Sequence, residues 1–402
     1  MISIVRSPLI KSSIRSLYNP IVSKSSSSST SYARQFSSSQ LHLNNNLAFV
    51  FDIDGVLIRG EQAIPNAKSA LDLLNQHKVP FILLTNGGGV PEADRVEFIS
   101  SVLDFQISPL QIVQSHTPMK ALAHKHAYDR VLVVGGPGDS ARHCALGYGF
   151  QDVVMPIDLV RANPAISPHH RYTQEEFDLY SLDPNQTHLD KPIEAILVFN
   201  DPRDMTTDIQ IVSDLLNSNH GIIGTKRKIE NLKHREDPSI PIIFSNNDFL
   251  WANDYNLPRF GQGAFRIIVE ELYKHTNQLK PSQHLHSIVM GKPFKIQYDY
   301  AHHVLIDWRQ KLLADEVNST EQILPNLGES PRSSPFDKIY MIGDNPESDI
   351  KGGNENGLET ALVRTGVFRD EEYDSIVAKP TVGVFDDVYE SVTTILEKHE
   401  VI

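Results

Sequence analysis

Four short apolar segments of the chain are each followed by side chains that could carry out chemistry. The segments are "LAFVF", "FILL", "HSIVMG" and "KIYMIG". The residues that follow them are, in chain order, Asp52, Asp54, Thr85, Asn86, Gly87, Gly88, Gly89, Lys292, Asp344 and Asp349. If the four segments are strands of parallel sheet, their polar followers lie at the carboxyl edge, which is where such sheets bind ligands.

The carboxylates in this set suit phosphoryl transfer with a divalent cation. Asp52, Asp54 and Asp344 are predicted to hold Mg²⁺, a hard cation that prefers carboxylate oxygens, water and substrate phosphate. Asp52 can attack phosphorus to form an aspartyl-phosphate, which divides a slow hydrolysis into two easier steps. Asp54 is suitably placed to protonate the leaving oxygen and then to deprotonate the attacking water. Asp349 is predicted to support the metal site rather than to bind the cation directly.

The other polar residues suit a bound phosphate group. The Thr85 hydroxyl and the backbone N–H groups of the glycine turn that begins at Gly87 can cradle phosphate oxygens, since glycine permits close approach. Asn86 can either cap this turn or contact the phosphorylated substrate. Lys292 can offset the negative charge of the phosphate and of the carboxylates, and it is therefore also a candidate catalytic residue. Lys295 is a weaker candidate for the same position.

Simpler interpretations of these residues explain less of the pattern. An EF-hand calcium loop would need an oxygen ligand at Val56 and glycine at Leu57. A solvated strand end would account for two aspartates but would not predict a lysine and further carboxylates after other strands. The glycine-rich segment at 131–149 misses the G-x-G-x-x-G spacing of dinucleotide sites, so we interpret it as a strand-to-helix turn. The histidine pairs lack the spacing of zinc ligands, and we interpret them as surface or structural residues.

The segments between the apolar runs indicate the fold class. Stretches such as residues 66–77 and 263–273 have helical length and period, and they alternate with further apolar runs such as "RVLVVGG", "EAILVF" and "PIIFS". Continuous apolar strands that alternate with helices are typical of a parallel sheet buried on both faces. We therefore predict an α/β fold.

The ordered motifs "DIDGVL", "LLTNGGG", "GKP" and "MIGDNPESDI" resemble the four motifs of the haloacid dehalogenase (HAD) superfamily. The segment "GDNPESDIKGGNENGLETALVRTGVF" is similar to the end of the subfamily IIA phosphatases, which resemble p-nitrophenyl phosphatases and pyridoxal phosphate phosphatases. The triple glycine and "GKPFKIQYDYA" resemble the cat-eye-syndrome-region-like branch, which is mitochondrial in fungi. "IIFSNNDFLW" resembles the Thr-Asn-Pro-Asp loop of the subfamily, with Ser245 in place of threonine and Asn247 in place of proline.

This resemblance implies a Rossmann-like HAD core with a parallel sheet and an inserted C2-type α/β cap. We expect the core at residues 46–116 and 246–402 and the cap at 117–245. In the loop that resembles Thr-Asn-Pro-Asp, Asn246 and Asp248 are expected to support the site. A cap that closes over the site makes a small phosphorylated metabolite the expected substrate. Relatives with such caps often form dimers, so a homodimer is a further expectation.

The composition separates the first residues from the rest of the chain. Residues 1–51 contain no Asp or Glu, and their five basic residues lie among serines, which is typical of a mitochondrial transit peptide. We predict this peptide at residues 1–43 and a mitochondrial protein, most simply of the matrix. The whole chain has a net charge of −13, which argues against nucleic-acid binding. It has a single cysteine and no apolar run of membrane-spanning length, which excludes an internal disulfide framework and a transmembrane segment.

The function predicted from these observations is a Mg²⁺-dependent phosphatase that acts through an aspartyl-phosphate. The alternatives are a phosphotransferase or phosphomutase, which would use the same aspartates, and a catalytically weak HAD-like scaffold or binding protein. A dehalogenase fits less well, because dehalogenation needs no acid such as Asp54. The fungal branch that the motifs resemble includes relatives joined to a phosphatidyltransferase-like domain, so the resemblance also suggests a link to glycerophospholipid metabolism.

Overall fold

A computed structural model of the protein describes residues 46–251, 255 and 257–402, so the predicted transit peptide lies outside the described residues. The strands in these ranges are β1 (Leu47–Phe51), β2 (Ile58–Arg59), β3 (Gln62–Ala63), β4 (Phe81–Leu84), β5 (Ile112–Val113), β6 (Arg130–Val134), β7 (Asp152–Val154), β8 (Ala195–Val198), β9 (Ile242–Phe244), β10 (Leu250–Trp251), β11 (Arg259–Phe260), β12 (Ile288–Val289), β13 (Lys338–Gly343), β14 (Glu359–Val363) and β15 (Gly383–Phe385). The α-helices are α1 (Ala67–Gln76), α2 (Glu92–Leu103), α3 (Lys120–His124), α4 (Ser140–Tyr148), α5 (Pro156–Ala162), α6 (Gln174–Tyr180), α7 (Pro184–Thr187), α8 (Met205–Leu216), α9 (Gln262–Thr276), α10 (Lys295–Ala314), α11 (Lys351–Glu355) and α12 (Val388–Lys398). None of the described helices combines the length and the apolar character needed to cross a membrane.

The first sheet has the strand order β15-β14-β13-β1-β4-β5, and all of its neighbouring strands run parallel. β1 lies near the centre, where Phe49 is in register with Tyr340 on one side and Phe81 on the other. The predicted α/β class is confirmed by this arrangement. Because β13, β1 and β4 are neighbours, the residues that follow these three strands meet at one edge of the sheet.

Helices cover both faces of the first sheet, as the continuous apolar strands predict. Side chains alternate across a strand, so Phe49 and Phe51 pack on one face with α1, α2 and α12. Val50 points the other way, into a cluster that includes Leu305 and Trp308 of α10. Each fully buried phenylalanine contributes on the order of 1.5–3 kcal/mol to folding. This burial fixes the register of β1 and thereby the position of the aspartate that follows it.

A second parallel sheet is inserted between β5 and α10 and has the order β12-β9-β8-β6-β7. One face of β6 packs with Ala141 and Cys144 of α4, and the other packs with residues of α8 and α9. The glycine-rich segment at 131–149 forms β6, a turn and α4, as we predicted. The chain thus consists of a core layer and an inserted α/β unit.

The second sheet continues past residue 245, where we predicted the inserted unit to end. β12 pairs in parallel with β9, with Ile288 opposite Ile243. Phe265 and Val269 of α9 are buried against the same sheet. Residues 262–289 therefore stay with the second sheet, because its apolar face buries α9 and its edge accepts β12. The sequence pattern identifies "HSIVMG" as a strand but does not indicate which of the two sheets it joins.

Candidate active site

Three of the four predicted strand ends meet at the carboxyl edge of the first sheet. Asp52 follows β1, Thr85 follows β4 and Asp344 follows β13, and these strands are neighbours in the order β13-β1-β4. Lys292 arrives differently, because it follows β12 of the second sheet and immediately precedes α10 of the first. The lysine therefore lies on a connection between the two units.

A group of buried charges, which we call the catalytic cluster, occupies this edge and consists of Asp52, Lys292, Asp344 and Asp349. The ammonium Nζ of Lys292 lies 2.6 Å from Asp52 Oδ1 and 2.6 Å from Asp349 Oδ1. Oxygens of Asp52, Asp344 and Asp349 all lie within 4.8 Å of one another. The lysine is only 2% exposed, so the pairs form away from bulk water. The cluster thus holds three carboxylates and one ammonium group, which pairs with two of them.

Burial, with added repulsion between the carboxylates, raises the pKa values of the three carboxyl groups. Burial raises the pKa of Asp52 even though Lys292 lowers it, and the nearby Asp54 adds to the rise. Burial, followed by repulsion from Asp52 and Asp349, raises the pKa of Asp344 well above its ordinary value. Burial likewise raises the pKa of Asp349 to about 6. A bound cation would oppose all three effects because it favours the ionised carboxylates.

The attraction of the carboxylates keeps the lysine charged. Burial acts to lower the pKa of Lys292, but Asp349 and Asp52 outweigh it and the pKa is raised. Lys292 is therefore a permanent cation at neutral pH. It cannot act as a base there, and its role is to orient carboxylates and to neutralise charge.

The donor set of the three carboxylates fits a hard divalent cation such as Mg²⁺. Backbone groups hold two of them: the Val367 N–H donates to Asp344 Oδ2 at 2.7 Å, and the Asn345 N–H donates to Asp349 Oδ2 at 3.0 Å. A side chain at Gly366 would collide with Asp344 Oδ2, so this position requires glycine. Gly366 and Val367 lie more than twenty residues after Asp344, near the end of the segment that resembles the subfamily IIA phosphatases, but we did not predict them as site residues.

The structure separates the two aspartates that follow β1. Asp54, which we predicted as a metal ligand and as the acid/base, is not in the group of three carboxylates. Its side chain is 58% exposed, and its Oδ2 lies 3.1 Å from the guanidinium of Arg95 on α2. Asp349, which we predicted as a supporting residue, lies inside the group. Its buried carboxylate contacts the lysine directly.

Thr85 and the glycine turn form a small hydrogen-bonded unit beside the catalytic cluster. Thr85 is buried, and its Oγ1 accepts a hydrogen bond from the Gly87 N–H at 2.9 Å. The Gly87 amide is therefore engaged by Thr85 in this structure. Because Thr85 Oγ1 accepts this bond, its own hydrogen is available to a phosphate oxygen.

The side chain of Asn86 bonds to protein groups. Its Oδ1 accepts from the Lys292 N–H at 2.6 Å, and its Nδ2 donates to Asp248 Oδ1 at 2.9 Å. Asn246 Nδ2 donates to the Asn86 carbonyl at 3.2 Å. The loop after β9 thus contacts the residues that follow β4 of the first sheet. Burial raises the pKa of Asp248 to about 6.

The weaker lysine candidate and a residue that we did not predict both lie on α10. Lys295 pairs with Asp299 and is 66% exposed, so it is not in the catalytic cluster. The hydroxyl of Tyr298 donates to the Ser348 carbonyl at 3.1 Å and lies beside Gly352. Tyr298 therefore holds the turn that carries Asp349. Its place in the "GKPFKIQYDYA" segment, six residues after Lys292, is the only sequence signal that could have indicated it.

Comparison with known proteins places this geometry in a family. A model described as haloacid dehalogenase-like hydrolase matches residues 49–151, and a HAD-hydrolase-like model matches residues 289–391. The chain is 50% identical to a mitochondrial hydrolase of Saccharomyces cerevisiae, over 89% of this chain and 97% of that protein. It is 37% identical to a cardiolipin synthase (CMP-forming)/mitochondrial hydrolase fusion protein of Schizosaccharomyces pombe, over 88% of this chain and 54% of the fusion protein.

A solved structure shows the same fold at low sequence identity. The p-nitrophenyl phosphatase of Archaeoglobus fulgidus superposes with a TM-score of 0.52 and 16% identity, over 86% of this chain and 98% of that chain. The shared fold includes both the core and the inserted unit, since the match extends over almost the whole of that chain.

Proposed function

The chain belongs to the haloacid dehalogenase-like hydrolases, and from this premise we propose that it is a Mg²⁺-dependent phosphatase for a small phosphorylated metabolite. The observation that carries the proposal is the contact of Lys292 with Asp52 inside a group of three buried carboxylates. A nucleophilic carboxylate, an oriented ammonium and a set of carboxylates that can hold a charge-neutralising cation are what phosphoryl transfer through an aspartyl-phosphate requires.

In the proposed reaction Asp52 is the nucleophile. Lys292 donates to Oδ1 of Asp52, and this bond orients the carboxylate so that Oδ2 can attack phosphorus. The new Oδ2–P bond forms as the bond from phosphorus to the leaving oxygen breaks. Asp54 acts as the acid that gives a proton to that oxygen, and its exposed position two residues from Asp52 suits this role.

The second half of the reaction restores the enzyme. Asp54, now ionised, takes a proton from a water molecule that attacks the phosphorus, and the Oδ2–P bond breaks to release phosphate. The Thr85 hydroxyl can donate to a phosphoryl oxygen in both steps. Asp52, Asp344 and Asp349 would hold Mg²⁺, which supplies charge neutralisation for the phosphoryl group.

The cap supports a small substrate. Two of its loops contact the glycine turn of the core, where Asn200 Nδ2 donates to the Gly88 carbonyl at 2.9 Å and Asp248 accepts from Asn86. Such closure limits the room for a bulky phosphoprotein and excludes bulk water from the phosphoryl group.

We further propose a cellular compartment for the enzyme and a class of metabolism in which it acts. The relative from Saccharomyces cerevisiae is named a mitochondrial hydrolase, and the one from Schizosaccharomyces pombe is fused to a cardiolipin synthase. Together with the acid-free first 51 residues, these names support a mitochondrial matrix enzyme that acts on a glycerophospholipid precursor. A panel of phosphorylated metabolites tests the substrate class, and inactivity toward both glycerol phosphates and phosphatidylglycerophosphate would contradict it.

The catalytic proposal is tested with the full chain, p-nitrophenyl phosphate and Mg²⁺. We expect Asp52→Asn to lower phosphate release at least about 1000-fold, because the amide is a poor nucleophile. Asp307→Asn is the matched control: Asp307 is equally buried and paired with Lys311 at 2.9 Å, but it lies on α10 outside the catalytic cluster. Equal turnover in wild type and Asp52→Asn would refute the catalytic assignment.

A further inference from the structure

Lys292 has to meet Asp52 although it lies on the connection between the cap and the core. β12, which ends three residues before it, belongs to the second sheet, whereas α10, which begins three residues after it, packs on the first. A small shift of this connection would move the ammonium away from its partners. The backbone of Lys292 therefore needs an anchor in the core.

Asn86 supplies that anchor with both ends of its side-chain amide. Its Oδ1 accepts from the Lys292 N–H at 2.6 Å, and its Nδ2 donates to the Lys292 carbonyl at 3.0 Å. Both residues are buried. The close approach depends on Gly291, whose φ is +81° and whose Cβ, if present, would lie 2.9 Å from Asn86 Oδ1. Asn86 itself is fixed because it directly follows β4 and the buried Thr85.

The same asparagine also binds the cap. Asn86 Nδ2 donates to Asp248 Oδ1 at 2.9 Å, and the Asn86 carbonyl accepts from Asn246 Nδ2 at 3.2 Å. Asn246 Oδ1 in turn accepts from the Asp248 N–H at 3.1 Å, which ties the two cap residues together. One core residue thus connects the loop after β9 with the backbone of the catalytic lysine.

We propose that Asn86 is a positioning residue that locks the backbone of Lys292 when Asp248 of the cap is in contact, so that cap closure and lysine placement are one event. From the sequence, Asn86 was expected either to cap the glycine turn or to contact the substrate. The bonds above assign a separate role to its side chain. The kinetic consequence of this inference rests on the proposed phosphatase function, whereas the structural contact does not.

The contact is tested by amide-resolved hydrogen exchange on the full chain. We expect Asn86→Ala and Asp248→Ala each to accelerate exchange of the Lys292 amide by roughly tenfold or more, because its acceptor is lost or loosened. The Met290 amide, two residues away, donates to the Phe244 carbonyl within the second sheet and should be unchanged. Asn247→Ala is the control variant, since Asn247 lies in the same loop but accepts from Arg266. An unchanged Lys292 amide in both test variants would overturn the proposal.

The consequence for the reaction is tested by a double-mutant cycle with p-nitrophenyl phosphate. We expect Asn86→Ala to lower kcat by about 10- to 100-fold while KM changes less than about threefold, because Lys292 acts on the phosphoryl group in the transition state. In a Lys292→Met background the same substitution should change the residual kcat less than about twofold, since its effect passes through the lysine. Equal losses in both backgrounds would show that Asn86 acts independently and would overturn the proposal.

These two experiments distinguish a failure of the proposed phosphatase function from a failure of the role proposed for Asn86. If wild type shows no phosphatase activity that depends on Asp52, the proposed function fails, and the hydrogen-exchange result alone decides the role of Asn86. If Asn86→Ala does not fold, Asp248→Ala takes its place in both experiments, because it removes the cap side of the same connection.

Discussion

The catalytic cluster can be compared with a second group of buried polar side chains at the junction of core and cap. This Glu92 cluster consists of Glu92, His116, Thr117, Lys120 and Tyr148. Glu92 Oε1 accepts from the Thr117 hydroxyl at 2.7 Å and from the Tyr148 hydroxyl at 2.6 Å, and it lies 3.2 Å from Lys120 Nζ. Here one carboxylate faces one ammonium, whereas in the catalytic cluster three carboxylates face one.

This difference in charge balance produces opposite pKa shifts at similar burial. Burial acts to raise the pKa of Glu92, but Lys120, His116 and the two hydroxyls outweigh it, and the pKa is lowered. The pKa values of Asp52, Asp344 and Asp349 are all raised. A buried charge that is matched within its own cluster needs no further partner, whereas a buried excess of one sign is typical of a site for a cation or a charged substrate.

The largest expected effect is on kcat/KM, which should depend on the lysine of the catalytic cluster and not on the lysine of the Glu92 cluster. We expect Lys292→Met to lower kcat/KM for p-nitrophenyl phosphate by roughly 100- to 1000-fold, because the reaction loses a positioned cation beside the phosphoryl group. Lys120→Met should change it less than about threefold, since Lys120 neutralises a carboxylate that takes no part in the reaction. The measurement is steady-state kinetics on the two full-length variants, with circular dichroism to verify folding. Comparable losses in both would contradict the functional division between the clusters.

The catalytic cluster could be predicted from the sequence far better than the Glu92 cluster, because short local patterns of sequence indicate where most of its residues lie. Asp52 and Asp344 directly follow apolar strands, so a strand pattern and the parallel-sheet rule suffice to bring them together. Asp349 was predicted with a weaker role, because its contact with Lys292 depends on the turn after β13. The partners of Glu92 lie on three separate elements whose packing no local pattern encodes.

The boundary of the cap was also harder to predict than the core. β1 and β13 have long apolar runs that define them, whereas β12 has two residues and its sheet is decided only by pairing with β9. The exposure of Asp54 has a similar origin, because its partner Arg95 is placed by the packing of α2. Interactions between distant segments set these features.

The second largest expected effect is stabilisation by Mg²⁺, which depends on the excess of negative charge in the catalytic cluster. The proposed Mg²⁺ should bind only the folded cluster, so a concentration of 100 times its Kd should stabilise wild type by about 2.7 kcal/mol, which raises Tm by roughly 3–4 °C. Asp344→Asn should reduce this shift to below about 1 °C, since one ligand and one excess charge are removed. Glu92→Gln, in the balanced cluster, should retain the full shift. Thermal unfolding with NaCl of matched ionic strength provides the control, and an undiminished Mg²⁺ shift in Asp344→Asn would contradict the assignment.

The smallest expected effect is on the pH dependence of the free energy of unfolding, to which His116 of the Glu92 cluster should contribute. Burial lowers the pKa of this fully buried imidazole from 6.5 to about 4, although Glu92 acts to raise it. Between these values the unfolded chain binds a proton that the folded protein does not, so stability falls as pH decreases from 6.5 toward 4. We expect a loss on the order of 2 kcal/mol in the free energy of unfolding between pH 7 and pH 5 from this residue.

The variant that tests this effect is His116→Asn. The Nδ1 of His116 lies 2.6 Å from the Tyr148 hydroxyl, and His116→Asn keeps a side-chain donor there. Urea unfolding at both pH values should show the acid-dependent loss reduced by about that amount in the variant. An equal loss in variant and wild type would mean that the acid sensitivity of the protein originates in the carboxylates instead.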